Sequence, residues 1–221
     1  MRFPTLTWLT AYGTTVADLG ATGIGVWWWR RLGRGQRLIV AWLAASGLAD
    51  VGALLAGRLW QNSQPVVRVW LLFSVTLAVE ALAAFQHSRQ RTAILRIVAG
   101  CFVVAWLILL VTVEPITRYS AFSVPLHGVI ILLAASVTVL RRISLGRRDL
   151  LVDPGFLIGI GLISYAVPAA LQTLVAQLSL NAGPQHAMLF YALASVASIL
   201  AVVMFVRAIT TSANAVDEGR S

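Results

Sequence analysis

The stretch GVWWWRRLGRGQR, from Gly25 to Arg37, places three consecutive tryptophans directly before four arginines that fall within eight residues. Aromatic and basic side chains occur together on nucleic-acid-binding surfaces and also at the edges of membranes. The long apolar segments on both sides of this stretch favour a membrane edge, where tryptophan rings lie at the headgroup level. The predicted membrane-interface anchors here and at a second arginine cluster are Trp27, Trp28, Trp29, Arg30, Arg31, Arg141 and Arg142.

The composition of the whole chain supports the membrane interpretation. Hydrophobic residues make up 59% of it and charged residues 11%, whereas soluble domains have about 45–50% and about 25%. A formal charge of +9 and an isoelectric point near 11.4 would otherwise suggest a nucleic-acid partner. The arginines lie in separate loops flanked by apolar segments, however, so we expect a lipid bilayer as the partner and no nucleic acid.

Seven apolar segments of about 20 residues are each long enough to cross a hydrocarbon core of roughly 30 Å. They predict an all-α integral membrane bundle of seven transmembrane helices, in a single domain over 1–210 with a polar cytoplasmic tail over 211–221. The connections are short, so we expect neighbouring helices to pack antiparallel. The predicted helices lie at about 8–29, 38–57, 66–86, 94–113, 121–140, 156–178 and 187–209.

The distribution of the arginines predicts the orientation of the chain. Cytoplasmic loops of membrane proteins carry an excess of basic residues, and here thirteen arginines fall on one side against four on the other. We therefore expect an external N-terminus and a cytoplasmic C-terminus, in a bacterial cytoplasmic membrane. The four on the opposite side are Arg2, Arg58, Arg68 and Arg118. We expect Arg68 to extend its guanidinium to the outer interface.

Several chemistries lack the residues they need. The chain has no lysine, which excludes a retinal or pyridoxal Schiff base; no other cofactor is identified. No His or Cys cluster has metal-ligand spacing, and no phosphate-binding or hydrolase motif is present. The single cysteine, Cys101, lies in an apolar run, where we expect a small buried hydrophobic residue.

Four ionisable residues inside the predicted helices are the candidate sites, because charged groups are costly within a membrane. Asp18, Asp50 and His127 fall near the midplane, and Glu80 lies nearer the cytoplasm. The three carboxyl groups could hold helices in register through hydroxyl hydrogen bonds, or they could form a proton, cation or small-ligand site. His127 is either a hydrogen-bonded interior histidine or a ligand to the magnesium of a chlorin or the iron of a haem.

Polar and small residues recur at helical spacing around these positions, which predicts faces that meet inside a bundle. Five helices carry such a face, and the carboxyl groups belong to the first three. The predicted inward faces comprise Thr10, Thr14, Asp18 and Thr22; Ser46 and Asp50; Phe73, Thr76, Glu80, Ala84 and His87; Gly161, Tyr165, Pro168 and Gln172; and Tyr191, Ser195 and Ser198.

The predicted topology is similar to that of rhodopsins and G-protein-coupled receptors, although the seventh segment lacks the lysine that binds retinal. The stretches GLADVGALLAG (47–57), LAVEALAAF (77–85) and DLLVDPGFLIGIGLISYAV (149–167) resemble a group of uncharacterised bacterial seven-helix membrane proteins. This resemblance implies a fold and no particular chemistry.

Three classes of function are consistent with these features. The first is a non-enzymatic helical module, either an accessory subunit of a larger energy-transducing or photosynthetic membrane complex or a membrane sensor, whose arginine loops would contact other subunits and anionic lipid head groups. The second is a small-solute or proton-coupled transporter that uses the intramembrane carboxyl groups. The third is a lipid-directed membrane hydrolase.

Overall fold

The computed structural model describes residues 4–86, 88–117, 120–146, 149–182 and 184–218. In these ranges the chain forms seven long α-helices and no β-strand. Six of them, α2 to α7, are long and apolar enough to cross a membrane, so the chain is a multi-pass membrane protein. The helices are α1 (Pro4–Trp27), α2 (Arg34–Leu59), α3 (Gln64–Ala84), α4 (Arg89–Thr112), α5 (Ser123–Ser144), α6 (Pro154–Ala182) and α7 (Pro184–Glu218).

The observed helices match the seven predicted segments in order and differ at their ends. Helix α2 starts four residues before the predicted position because Gln36 caps it, accepting a hydrogen bond of 2.9 Å from the backbone N–H of Gly33. Helix α7 continues to Glu218, into the segment that the sequence assigned to a polar tail. Hydropathy marks only the apolar part of a helix, so polar turns at its ends are missed.

The seven helices form a closed ring in chain order, with α7 packed against α1, and α3 also contacts α5 and α6. Two groups of loops follow from this arrangement. We call the end with residues 28–33, 85–86, 145–146 and 149–153 the arginine-rich end, and the end with residues 60–63, 113–117 and 120–122 the arginine-poor end. At the arginine-poor end, the Asn62 side chain donates a hydrogen bond of 3.1 Å to the carbonyl of Thr117.

Glycine allows α5 and α6 to approach each other closely. A Cβ atom added to Gly128 would collide with the α6 backbone at Ala166, Ala169 and Ala170. Only a residue without a side chain therefore fits at this crossing, as is typical of membrane helices held together by close packing. The crossing places the neighbouring His127 at the centre of the bundle, where it is 1% exposed.

The expected burial of Cys101 and of one face of α3 is wrong. Cys101 is exposed on α4, a helix whose apolar residues largely face outward, where lipid would cover them. The predicted inward face of α3 also faces outward, since Phe73 is 55% exposed and Thr76 and Ala84 are exposed. His87, the last member of that face, lies outside the described residues. In a membrane protein both faces of a helix are apolar, so hydropathy does not separate lipid-facing from buried positions.

Arg68 does not extend to the outer interface as predicted. Its side chain is fully buried and lies beside Glu114, with Nη1 3.4 Å from Oε2. Glu114 belongs to the loop at the arginine-poor end, and its carboxylate accepts hydrogen bonds from the backbone N–H groups of Phe122 and Ser123 at the start of α5. This ion pair therefore ties α3 to the α4–α5 loop and the α5 N-terminus.

Arg142 is likewise not an interface anchor. Its Nη1 lies 3.4 Å from Oδ2 of the buried Asp153, and its Nη2 donates a hydrogen bond of 2.7 Å to the carbonyl of Phe85. Arg142 thus links the α3 C-terminus, α5 and the loop before α6. Its neighbour Arg141 is half-buried and donates a hydrogen bond of 2.6 Å to the side chain of Gln86.

The other predicted anchors lie on the surface at the arginine-rich end. Trp27 is 83% exposed, whereas Trp28 packs beside a small apolar cluster with the guanidinium of Arg31 4.9 Å from its ring centre. Trp29, 40% exposed, and Arg30 are also on the outside. Their role as membrane-interface anchors remains a prediction.

Candidate functional site

Asp18 and Asp50 lie on neighbouring helices, each held by a hydroxyl group from the other helix. Thr15 on α1 donates a hydrogen bond of 3.0 Å to Oδ2 of Asp50 on α2, and Ser46 on α2 hydrogen-bonds to Asp18 on α1. The two carboxyl groups are close enough to interact electrostatically. Asp18 is 8% exposed and Asp50 is half-buried. We call these two residues the carboxylate pair.

The carboxylate pair lines a cavity of about 360 Å³ between α1, α2, α3, α6 and α7, which we call the main cavity. This volume lies within the range of about 300–1,000 Å³ that is typical of small-molecule sites. The predicted inward faces of α1, α2, α6 and α7 meet here, although Thr10, Gln172 and Tyr191 lie outside the described side chains. The lining residues are Thr14, Asp18, Trp42, Ser46, Asp50, Trp70, Tyr165, Ala194, Ser195, Ser198, Ala201, Val202 and Phe205.

Four of the residues that line the main cavity are aromatic, and together we call them the aromatic wall: Trp42, Trp70, Tyr165 and Phe205. Trp42 is at its centre. The ring of Tyr165 meets that of Trp42 edge-on at 4.7 Å, and the rings of Trp70 and Phe205 lie at 5.5 Å and 5.8 Å. Tyr165 is also close enough to both members of the carboxylate pair to interact electrostatically with them.

A hydrogen-bonded chain connects the aromatic wall to His127. The Trp42 Nε1–H donates a hydrogen bond of 2.9 Å to Oγ of Ser74, and this hydroxyl lies 2.9 Å from Nε2 of His127. The ring of His127 also packs edge-on against Tyr165, at 6.0 Å. This arrangement favours the interpretation of His127 as a hydrogen-bonded interior histidine over that of a pigment ligand.

A second cavity of about 280 Å³ leads from the carboxylate pair to the arginine-poor end. It shares Thr14 and Asp50 with the main cavity and reaches Ser63 in the loop before α3. We call it the entrance cavity. Along α2, Asp50 lies eight residues beyond Trp42, or about 12 Å nearer the arginine-poor end. A solute that entered from this end would meet Asp50 before the aromatic wall.

Packed side chains close the main cavity toward the arginine-rich end. Ile39 and Leu43 on α2 and Phe205 on α7 are all 0% exposed. One turn further along, the Gln36 side chain donates a hydrogen bond of 2.7 Å to the carbonyl of Ala208 and ties α2 to α7. The structure therefore gives the carboxylate pair access from one end of the bundle.

The carboxylate pair differs from the other buried carboxyl groups in its partners. Glu114 and Asp153 each lie beside a buried arginine, whereas the described residues around the main cavity include hydroxyl groups but no arginine. A buried carboxylate is costly unless a positive charge or a proton neutralises it. The main cavity can therefore hold a proton or a cation next to these two groups.

Glu80 does not belong to this site. Its carboxylate lies near the arginine-rich end, where it accepts hydrogen bonds of 2.6 and 3.0 Å from Arg96 and one of 3.4 Å from Arg34. Arg34 and Arg96 are exposed, so this is a surface ion-pair network. That Glu80 lies at a shallower membrane depth than Asp18 and Asp50 remains a prediction.

Sequence reasoning missed the aromatic wall except Tyr165, and it missed Ser74 and Glu114. Trp42 lies in an apolar run and Trp70 in the short apolar run between Arg68 and Ser74, and no local pattern separates the two tryptophans from lipid-facing residues. Glu114 gave a usable signal, since it is an acidic residue in the α4–α5 loop at the end that has few arginines. It is therefore the natural partner for Arg68.

The chain matches no protein-family model, no curated protein and no solved structure. Within the described ranges, no three His, Cys, Asp or Glu side chains are grouped so that they could hold a metal ion. The carboxylate pair and the cavities that reach it are therefore the features that indicate a function.

Proposed function

We propose that the protein is a transporter that exchanges small cations for protons at the carboxylate pair. One observation carries this proposal: Asp18 and Asp50 share a cavity inside the bundle that contains no described arginine. Inside a membrane such carboxyl groups need either a proton or a cation, because the ionised form is poorly solvated. Binding of a cation with release of a proton, and the reverse, constitutes proton-coupled exchange.

The position of the pair within the bundle also supports transport. Asp18 and Asp50 lie away from the ends of α1 and α2, reached by the entrance cavity from the arginine-poor end and separated from the other end by packed side chains. Access from one side at a time is what an exchanger requires. The proposal includes the predicted orientation, with the arginine-rich end in the cytoplasm of a bacterial cell.

The alternative roles have no comparable support in the structure. An accessory subunit would use the outward apolar faces, which lipid also covers. A sensor would need an output surface, and a hydrolase would need an activated nucleophile beside the carboxyl groups. These roles, together with binding of other subunits or of anionic lipids at the arginine loops, remain predictions.

The proposal can be tested in liposomes that contain the purified protein and an internal pH-sensitive dye. With an acidic interior, external cations are added one at a time: Na⁺, K⁺ and tetramethylammonium. We expect at least one of them to release protons from the interior faster than in protein-free liposomes. Asp18→Asn should abolish this release, since an amide cannot exchange a proton for a cation. If no cation releases protons, the proposed function is wrong.

A further inference from the structure

We propose that the cation is an organic ammonium ion, held between the carboxylate pair and the aromatic wall. This inference rests on the proposed function and names the class of its substrate. Two observations support it, the size of the main cavity and the chemistry of its two sides. The carboxyl groups of Asp18 and Asp50 carry negative charge once they release a proton, and four aromatic rings line the same cavity.

The volume of the main cavity suits a molecule better than a bare metal ion. A cavity of about 360 Å³ is much larger than the space that a dehydrated cation fills, since ions such as Ca²⁺ need six to eight oxygens at about 2.3–2.6 Å. The described lining supplies two carboxyl groups, a few hydroxyls and a larger apolar surface. An ion with methyl or methylene groups would cover that apolar surface.

The aromatic wall provides the second means of recognition. Cations within about 6 Å of an aromatic ring centre are attracted by its π electrons, and cages of such rings bind quaternary ammonium groups. The two carboxyl groups and the four rings line one cavity of about 360 Å³, so an organic cation that fills it would contact both. Trp70 belongs to the aromatic wall, but it is half-buried and does not lie at the packed centre of the wall. It is therefore the wall residue best suited for substitution.

The attraction also explains why no arginine is found beside the pair among the described residues. A guanidinium here would neutralise the carboxyl groups permanently, as it does at Glu114 and Asp153. Hydroxyl groups such as those of Thr15 and Ser46 instead hold the carboxyl groups in position without neutralising them. The site therefore keeps its negative potential for an exchangeable cation.

Tetramethylammonium is the probe that tests this inference, because it carries a permanent charge and does not cross lipid as a neutral base. In the same liposome assay we expect it to release protons at a lower half-saturating concentration than Na⁺ or K⁺ at equal ionic strength. Trp70→Leu should raise that concentration for tetramethylammonium by about tenfold. Trp70→Phe, which keeps an aromatic ring, should retain most of the affinity for tetramethylammonium.

Matched controls separate this effect from misfolding. Trp60→Leu removes a tryptophan that is 74% exposed at the arginine-poor end, outside the aromatic wall, and should leave the response to tetramethylammonium unchanged. Each variant is also checked for a monodisperse profile in size-exclusion chromatography. If Trp70→Leu does not fold, the comparison of the three cations in the unsubstituted protein still decides.

The outcomes distinguish the two proposals. Exchange with Na⁺ or K⁺ but not with tetramethylammonium would overturn the organic-cation inference and leave the exchanger proposal standing. An equal effect of Trp70→Leu on all three cations would also contradict a role for the aromatic wall. Absence of proton release with every cation would overturn both.

Discussion

Thr15 on α1 donates a hydrogen bond of 3.0 Å to the carboxylate of Asp50 on α2. This contact joins two helices at the point where the main cavity meets the entrance cavity. It supplies a hydrogen bond without supplying charge, so it orients Asp50 and leaves the carboxylate able to bind a proton or a cation. In the proposed exchanger, Thr15 is therefore a positioning residue and Asp50 is the group that binds.

Thr15→Val tests this distinction, because valine has nearly the shape of threonine and no hydroxyl. We expect weaker α1–α2 association, with a loss of about 1 kcal/mol in the free energy of unfolding, and cation exchange that persists with a changed half-saturating concentration. The measurement is the concentration dependence of proton release. Thr22→Val is the control, since the Thr22 hydroxyl bonds to the backbone of its own helix, at Asp18. Loss of all exchange in Thr15→Val alone would contradict a positioning role.

The buried Arg68–Glu114 pair should determine how well α3 and α5 stay together. Glu114→Gln removes the charge that neutralises Arg68, and we expect a loss of about 3–5 kcal/mol in stability, measured by thermal denaturation in detergent. Glu80→Gln, at an exposed ion-pair network, should change stability by about 1 kcal/mol or less. Equal effects of the two substitutions would show that the Arg68–Glu114 pair is not buried.

The α5–α6 crossing predicts opposite results at two helical glycines. Gly128→Ala would press a methyl group against the α6 backbone, so we expect a loss of about 1–3 kcal/mol. Gly100→Ala on α4 meets no atom within 4 Å and should be tolerated. The melting temperatures of the two variants in the same detergent provide the comparison, and a stable Gly128→Ala protein would refute the close crossing.

The single cysteine allows the orientation to be measured by labelling. In a Cys101→Ser background, Thr117→Cys lies at the arginine-poor end and Ser144→Cys near the arginine-rich end, both at exposed positions. We expect a membrane-impermeant maleimide to label Thr117→Cys in intact bacterial cells and Ser144→Cys only after permeabilisation. The reverse pattern would place the N-terminus in the cytoplasm.

Seven helices in this order could be read from the sequence, and six of them, α2 to α7, are long and apolar enough to cross a membrane, because the length of an apolar segment reflects the thickness of a membrane. That α1 also crosses the membrane remains a prediction. Asp18 and Asp50 could also be singled out, since carboxyl groups are rare inside apolar segments. Their shared cavity depends on how α1 and α2 pack, but the predicted faces containing Thr14, Asp18, Ser46 and Asp50 indicated it.

Other features could not be obtained from one sequence. Arg68 and Arg142 look like ordinary interface arginines, and only the fold brings Glu114 and Asp153 beside them. The aromatic wall could not be predicted because tryptophans in apolar segments are as compatible with lipid contact as with a buried cavity. The sequence predicts that the α3 face with Phe73 points inward, which is wrong, because periodicity identifies a face of a helix without showing whether protein or lipid covers it.

The comparison of Asp50→Asn with Glu80→Gln in the liposome exchange assay tests the central claim most directly. Both substitutions replace a carboxyl group by an amide, one in the main cavity and one in the Arg34–Glu80–Arg96 network. The account predicts that Asp50→Asn abolishes cation-driven proton release and that Glu80→Gln retains it. Retained release in Asp50→Asn, with correctly folded protein, would contradict the account.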